Sequence, residues 1–70
     1  MTTEQIENWF THHPPEKGDI ERYQKIRDAA KAFALVVAEN TPPSADQSAA
    51  IRKIREAVMT ANASIACKGK

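Results

Sequence analysis

The sequence predicts an all-α fold in which a short N-terminal helix precedes an antiparallel two-helix hairpin, and the hairpins pack into a homo-oligomer. Three observations lead to this prediction. The 70 residues include only two glycines and consist mainly of good helix formers. Apolar residues recur at steps of three and four, the spacing of one helix face. Two proline pairs, Pro14 with Pro15 and Pro42 with Pro43, separate three such segments, which we assign to one domain over residues 1–70.

The first segment predicts a short helix over about residues 3–10. Thr2 is followed three residues later by Gln5, the arrangement of a capping box, and Trp9 and Phe10 then fall on one side of the helix. We interpret Trp9 and Phe10 as an apolar latch over the hairpin rather than as a platform for stacking a ligand. The HHPP sequence that follows forces an extended corner, because a residue before proline avoids the α region.

A long helix is predicted over about residues 16–39, where the helical spacing of apolar residues continues. Its second half, AAKAFALVVA, is interrupted only by Lys31, so apolar side chains lie nearly all round the helix. A two-helix hairpin cannot cover such a surface in water, and we therefore expect further chains to pack there. The residues that recur at steps of three and four are Ile20, Tyr23, Ile26, Arg27, Ala30, Phe33, Ala34 and Val37.

A second long helix is predicted over about residues 45–66. Ser44 with Gln47 repeats the capping-box arrangement, and the short connection makes the two long helices antiparallel neighbours. The tail, CKGK, is polar and contains glycine, so we expect it to fray. The predicted core seam of this helix consists of Ile51, Ile54, Val58, Ala61 and Ile65.

Composition limits how the chain reaches a stable fold. A chain of 70 residues buries a small fraction of its surface, and its single cysteine, Cys67, excludes an internal disulfide. No Cys/His set has zinc-finger spacing, which leaves oligomerisation as the stabilising device. No signal peptide or transmembrane segment is recognisable, so we expect a soluble cytoplasmic protein. The formal net charge of +1 disfavours binding along nucleic acid.

A polar stripe on the second long helix is the first candidate for a ligand site. Arg52, Arg55 and Asn62 lie on one face at helical spacing. Guanidinium groups bind phosphate oxygens through two parallel hydrogen bonds and stack on bases, and an amide can donate to and accept from a base edge. In the alternative, both arginines pair with Glu56 or with acidic residues of a neighbouring chain, while Asn62 bonds the facing helix and fixes its register.

Tyr23 and Arg27 in the first long helix form a second candidate pair. They lie one helical turn apart, a spacing that suits an aromatic ring stacked on a base and a guanidinium group on a phosphate. In the alternative, Tyr23 belongs to the core, and Arg27 neutralises Asp19 or Glu16. The sequence leaves both interpretations open.

The HHPP corner holds His12 and His13, whose imidazole rings can donate to phosphate, bind metal or cover the end of the hairpin. Metal binding is the least favoured interpretation, because adjacent histidines point apart in an extended chain and no further ligands have suitable spacing. No nucleophile has a base and an orienting acid at recognisable spacing, and no Gly-rich phosphate loop is present. We therefore expect a binding protein that has neither a cofactor nor a catalytic site.

Three segments carry a resemblance to a known family: HHPP, ERYQKIRDAAKAFA and TPPSADQSAAIRKIREAVMTANASIA. Over about residues 10–66 the chain resembles the helical hairpin domain shared by phage anti-CBASS and anti-Thoeris nucleotide sponges. The resemblance implies a non-enzymatic protein that binds cyclic di- and tri-nucleotides, or cyclic ADP-ribose isomers, in the infected bacterial cell and withholds them from host effectors. It also implies a compact homo-oligomer, commonly a hexamer, with ligand pockets between chains.

The resemblance extends to individual residues and to architecture. Anti-Thoeris members carry extra structure before the hairpin, whereas a short stretch ending at Thr11 precedes it here, which favours the minimal anti-CBASS-like architecture. The residues that the resemblance implies as ligand contacts are His12, His13, Tyr23, Arg27, Arg52, Arg55 and Asn62.

Two other classes of function fit the residues. An oligomeric adaptor or structural hairpin explains every periodicity equally well, with the arginines as solvated or interfacial charges and with no affinity for cyclic nucleotides. A small nucleic-acid-binding regulator predicts an affinity that falls steeply with salt, and the balanced charge disfavours it.

Overall fold

The computed structural model describes residues 1–70 and contains three helices and no strand. Helix α1 spans Thr3–Trp9, α2 spans Asp19–Asn40 and α3 spans Ala45–Ala66. Helices α2 and α3 form the hairpin and make the only extensive contact between helices. The predicted all-α fold is confirmed. None of the helices combines the length and the apolar character that a membrane span requires.

Helix α1 begins with the predicted capping box. The Thr2 hydroxyl accepts a hydrogen bond from the Gln5 amide at 3.1 Å, and the Gln5 side chain accepts one from the Thr2 amide at 2.8 Å. The helix ends at Trp9, and the side chain of Phe10 is 85% exposed. The interpretation of Phe10 as a latch over the hairpin is therefore wrong, because this ring covers nothing within the chain.

Helix α2 begins at Asp19, later than the predicted start near residue 16. Gly18 has a φ of 88°, in the left-handed region, and ends the preceding turn. Asp19 closes that turn from the helix side, because its carboxylate accepts a hydrogen bond from the Glu16 amide at 2.9 Å. The residues between the proline pair and Gly18 therefore form a corner and not a first helical turn.

The connection between α2 and α3 departs from the predicted capping box. The Ser44 hydroxyl accepts from the Gln47 amide at 3.1 Å, as the pattern requires. The Gln47 side chain, however, donates to the carbonyl oxygens of Ala38 at 3.2 Å and Thr41 at 3.1 Å. The last carbonyls of a helix lack intrahelical partners, so Gln47 ties the end of α2 to the start of α3 instead of closing the second half of the box.

The tail, predicted to fray, is folded into a helix cap. Lys68 donates its amide hydrogen to the carbonyl of Ile65 at 3.1 Å, and Gly69 donates to Ser64 at 2.9 Å, the two hydrogen bonds of a Schellman motif. Lys68 has a φ of 56° and Gly69 a φ of 75°, so two consecutive residues are left-handed. The prediction failed because a lysine occupies the position at which this motif usually has glycine.

The hairpin has a seam but no fully buried core. All five predicted seam residues of α3 are partly buried, and no residue of the chain is fully buried. Ile20 and Phe33, which lie at core spacing in α2, are 70% and 59% exposed. The radius of gyration is 15.1 Å, whereas a compact chain of this length would have about 11 Å. One copy of the chain therefore leaves much of its apolar surface uncovered.

Candidate ligand-binding site

Arg27 of α2 and Arg55 of α3 lie on the same concave surface, which we call the arginine concavity. The antiparallel hairpin brings these two residues together, because each occupies the middle of its helix. The concavity encloses about 290 Å³. Lys31 adds a third cation at its edge, and the rest of its lining is apolar. The apolar lining residues are Ala30, Ala34, Ile51, Ile54, Val58 and Met59.

The guanidinium groups of the arginine concavity have no carboxylate partner within the chain. Arg27 makes one long hydrogen bond, from Nη1 to the side-chain oxygen of Gln24 at 3.5 Å, and Arg55 is in no ion pair. The alternatives in which Arg55 pairs with Glu56, or Arg27 with Asp19 or Glu16, are therefore wrong within one chain. The two ion pairs that the chain does form are Lys25 with Glu21 and Lys68 with Glu16.

A second concave surface, the tryptophan concavity, adjoins the first through Met59, which lines both. It encloses about 460 Å³. The ring of Trp9 is 54% exposed there, and its Nε1 donates a hydrogen bond to the carbonyl of Lys70 at 2.9 Å. The other lining residues are Thr60, Ala63, Ser64, Cys67 and Gly69. An aromatic face and two hydroxyl groups therefore continue the surface that begins at the arginines.

The tryptophan concavity is the part of the site that sequence reasoning missed. Trp9 and Lys70 lie far apart in the sequence, and the sequence predicts that the tail, which contains Lys70, frays. A half-exposed amphipathic ring next to hydroxyl groups is a surface on which a flat ring can stack. The only sequence signal for this arrangement is the single tryptophan in a short helix.

The two histidines lie away from both concavities. The Nε2 atom of His13 is 2.6 Å from the carbonyl oxygen of Asn8, and the ring is partly buried. His13 lines a small cavity of about 170 Å³ between the corner and the end of α3, where Glu16, Asp19 and Lys68 also lie. His12 is exposed. No group of three His, Cys, Asp or Glu side chains is arranged to hold a metal ion.

The remaining predicted residues, Tyr23, Arg52 and Asn62, do not line the arginine concavity. Tyr23 is partly buried and lines neither concavity, so its pairing with Arg27 is not formed. Arg52 is exposed and also lies outside both surfaces. The side-chain oxygen of Asn62 is buried and accepts no hydrogen bond. The partner that we expected Asn62 to find on the facing helix is therefore absent from the single chain, at a cost of about 1–3 kcal/mol.

A third surface is almost entirely apolar and is called the apolar groove. It encloses about 570 Å³ between α2 and α3, and Lys53 is its only charged residue. It shares Ala30, Ile54 and Val58 with the arginine concavity, so the two surfaces flank the same seam. The apolar residues that line it are Ile26, Ala29, Ala30, Phe33, Val37, Ala50, Ile54, Ala57, Val58 and Ala61.

Comparison with known proteins gives one match. The family model described as Acb2/Tad1, hairpin domain, matches residues 2–66. Neither a curated protein nor a solved structure matches the chain. The matched residues include all three helices and every residue of the arginine concavity.

Proposed function

Because the chain belongs to the Acb2/Tad1 hairpin-domain family, we propose that it is a phage anti-defence sponge that binds cyclic nucleotide immune messengers. It withholds them from host effectors in the cytoplasm of the infected bacterium and does not cleave them. Cyclic di- and tri-nucleotides are the proposed ligands, and cyclic ADP-ribose isomers are further candidates. The proposed activity needs no cofactor.

The observation that carries this proposal is the presence of Arg27 and Arg55, from two different helices, on one apolar concavity without a carboxylate partner. A cyclic nucleotide combines phosphate anions with flat bases in a closed ring. Guanidinium groups match phosphate geometry with two parallel hydrogen bonds each. The apolar lining, Met59 and the adjoining face of Trp9 supply surfaces for the bases.

Two further features favour binding without turnover. The arginine concavity is lined by no His, Cys, Asp or Glu side chain that would activate water or a nucleophile. Both arginines project from helices of 22 residues, so little order has to be imposed on the backbone when a ligand binds. A rigid, cationic and chemically passive surface suits a protein that acts by stoichiometric capture.

The proposed sponge is a homo-oligomer, which we infer from the amount of exposed surface. The chain exposes 5789 Å², whereas a compact monomer of its mass would expose about 4,400 Å². A standard interface removes about 800 Å² from each partner, so the excess corresponds to nearly two interfaces per chain. The same excess would fit one larger obligate interface, so the area supports assembly but does not give the number of chains, and the hexamer comes from the family resemblance alone.

Assembly also explains how a shallow surface becomes a pocket. The arginine concavity, at about 290 Å³, is at the lower limit of the about 300–1,000 Å³ typical of small-molecule sites. A second copy placed over it would deepen the pocket and supply further contacts. We propose that the candidate residues outside the concavity act there, against the ligand or the neighbouring chain: His12, His13, Tyr23, Arg52 and Asn62.

Isothermal titration calorimetry with a panel of cyclic di- and tri-nucleotides and cyclic ADP-ribose isomers tests this function. Arg27→Ala and Arg55→Ala should each weaken binding about 10- to 100-fold, because a hydrogen bond to a charged group contributes about 1.5–3 kcal/mol. The matched control is Arg22→Ala, which removes an arginine of α2 that lines neither concavity. Arg22→Ala should bind like the unmodified chain.

Two results would overturn the proposal. Unchanged affinity in both concavity variants would remove the arginines from the site. An intact oligomer that binds no member of the panel would favour the adaptor, in which the same apolar surfaces serve only assembly.

A further inference from the structure

The long-range polar contacts of the N-terminal segment, residues 1–17, all end on the tail, residues 67–70. Trp9 donates to the carbonyl of Lys70 at 2.9 Å. The carbonyl of Asn8 lies 4.0 Å from the Cys67 sulfur, which donates weakly to it. Glu16 forms an ion pair with Lys68 at 2.9 Å. Three residues of the tail, Cys67, Lys68 and Lys70, therefore make every long-range polar contact of α1 and the corner.

Apolar packing does little to hold the N-terminal segment in place. Only α2 and α3 pack extensively against each other. Phe10 is 85% exposed and Trp9 is 54% exposed, so neither ring is buried against the hairpin. Where the corner meets the end of α3, a cavity of about 170 Å³ separates His13 from Lys68. The polar contacts are thus the main connection between α1 and the rest of the chain.

The tail can receive these contacts only in its folded shape. The Schellman motif turns the chain back after α3, and this reversal carries the Lys68 side chain to Glu16 and the Lys70 carbonyl to Trp9. Lys68 holds a left-handed φ of 56°, where glycine would be strained less. The ion pair gives a reason for a lysine at this position, because glycine has no side chain to reach Glu16.

We propose that the tail is a clasp that holds α1 on the hairpin and fixes the ring of Trp9 over the tryptophan concavity. The ion pair of Lys68 with Glu16 keeps the clasp closed. The hydrogen bond from Trp9 to the Lys70 carbonyl then holds the indole ring in place. When the clasp opens, α1 leaves the hairpin and the tryptophan concavity loses its aromatic wall. This device belongs to the unliganded chain and does not depend on which ligand the protein binds.

The single tryptophan of the chain makes the clasp directly measurable. In the chain of 70 residues without ligand, we would record the emission maximum of Trp9 and its quenching by acrylamide. Lys68→Glu places a like charge opposite Glu16 and should shift the emission to longer wavelength and raise the quenching constant. Lys68→Gly removes the amine but favours the left-handed turn, so it should have the same effect without unfolding the tail.

Two further variants complete the test. Glu16→Lys combined with Lys68→Glu restores an ion pair of reversed polarity and should return the quenching constant to its original value. Lys25→Glu is the matched control, because it places a like charge opposite Glu21 in the other exposed ion pair, at a position without contact to the tail. Circular dichroism should show the helices of the hairpin intact in all variants.

The clasp would be overturned if Lys68→Glu and Lys68→Gly left the quenching of Trp9 unchanged. An equal rise in the Lys25→Glu control would also overturn it. The quenching is recorded without ligand, and cyclic nucleotide binding is measured separately on Arg27 and Arg55, so failure of the clasp and failure of the sponge are distinguishable.

Discussion

Arg27 and Arg55 border one apolar concavity, and neither forms an ion pair. Exposed arginines on a helix commonly lie beside a carboxylate three or four residues away. Here the neighbouring acidic residue of α3, Glu56, is adjacent in sequence and points to a different side of the helix. The two guanidinium groups are therefore left available for an anion from outside the chain.

The first prediction concerns the shape of the arginine side chain. Arg55→Lys keeps the charge but replaces a planar fork by a single ammonium group, which cannot make two parallel hydrogen bonds to one phosphate. We expect the affinity for cyclic nucleotides, measured by calorimetry, to fall about tenfold, which corresponds to about 1.4 kcal/mol. If Arg55→Lys kept full affinity, Arg55 would act on the ligand through its positive charge alone and not through paired hydrogen bonds to a phosphate.

The second prediction compares two glutamines at the same capping position. Gln47→Met removes the two hydrogen bonds to Ala38 and Thr41 that tie α2 to α3. We expect the free energy of unfolding, measured by urea denaturation, to fall by about 1–2 kcal/mol. Gln5→Met removes one hydrogen bond in α1, outside the hairpin, and should have a smaller effect. A larger loss in Gln5→Met would contradict the linking role of Gln47.

The third prediction concerns assembly through the apolar groove. Phe33 is 59% exposed in one chain and lines this groove. If a second chain covers the apolar groove, Phe33→Glu would place a charge beneath that chain, where it would have no partner. We expect sedimentation velocity to show a shift to smaller species. Ser48→Glu, which adds the same charge at an exposed position of α3, is the control and should leave the assembly intact. Equal sedimentation of both variants would place the interface elsewhere.

The fourth prediction concerns the pH dependence of the clasp. The side-chain hydrogen bond and the negative charge of Glu16 raise the pKa of Lys68 above its ordinary value. Because the pKa of Lys68 is raised in the folded chain, its ion pair with Glu16 stabilises the fold fully below the pKa of an unfolded lysine, about 10.4. This stabilisation is lost as the pH rises through the raised pKa of Lys68 in the folded chain. Quenching of Trp9 should therefore increase in this alkaline range. Lys68→Met should remove the increase, whereas Lys25→Met should retain it.

Local patterns predicted the helices because local interactions form them. Thr2 and Gln5 form the expected capping box, and Ser44 caps α3 as expected. Two of the three errors at helix ends, those at Gln47 and Lys68, share a cause. The side chain of Gln47 contacts the end of α2, and that of Lys68 contacts Glu16 in the corner. The spacing of residues along one helix does not predict contacts with another segment.

The candidate site was predicted only in part, because its halves come from different elements. The two arginines were identified on separate helices, and the hairpin brought them together. Tyr23 and Arg27 share a helix, but only Arg27 lines the arginine concavity, whereas Tyr23 is partly buried outside it. The role of Trp9 depends on a tail contact between the two ends of the chain. Helical periodicity specifies the face on which a residue lies but not which distant element meets it.

Native mass spectrometry of the purified protein, alone and with a mixed panel of cyclic di- and tri-nucleotides and cyclic ADP-ribose isomers, tests the central claim most directly. One spectrum reports the mass of the assembly and the identity of any retained ligand. The sponge predicts a discrete oligomer that retains an intact cyclic nucleotide. An oligomer that retains no member of the panel, or that releases a cleaved product, would contradict it.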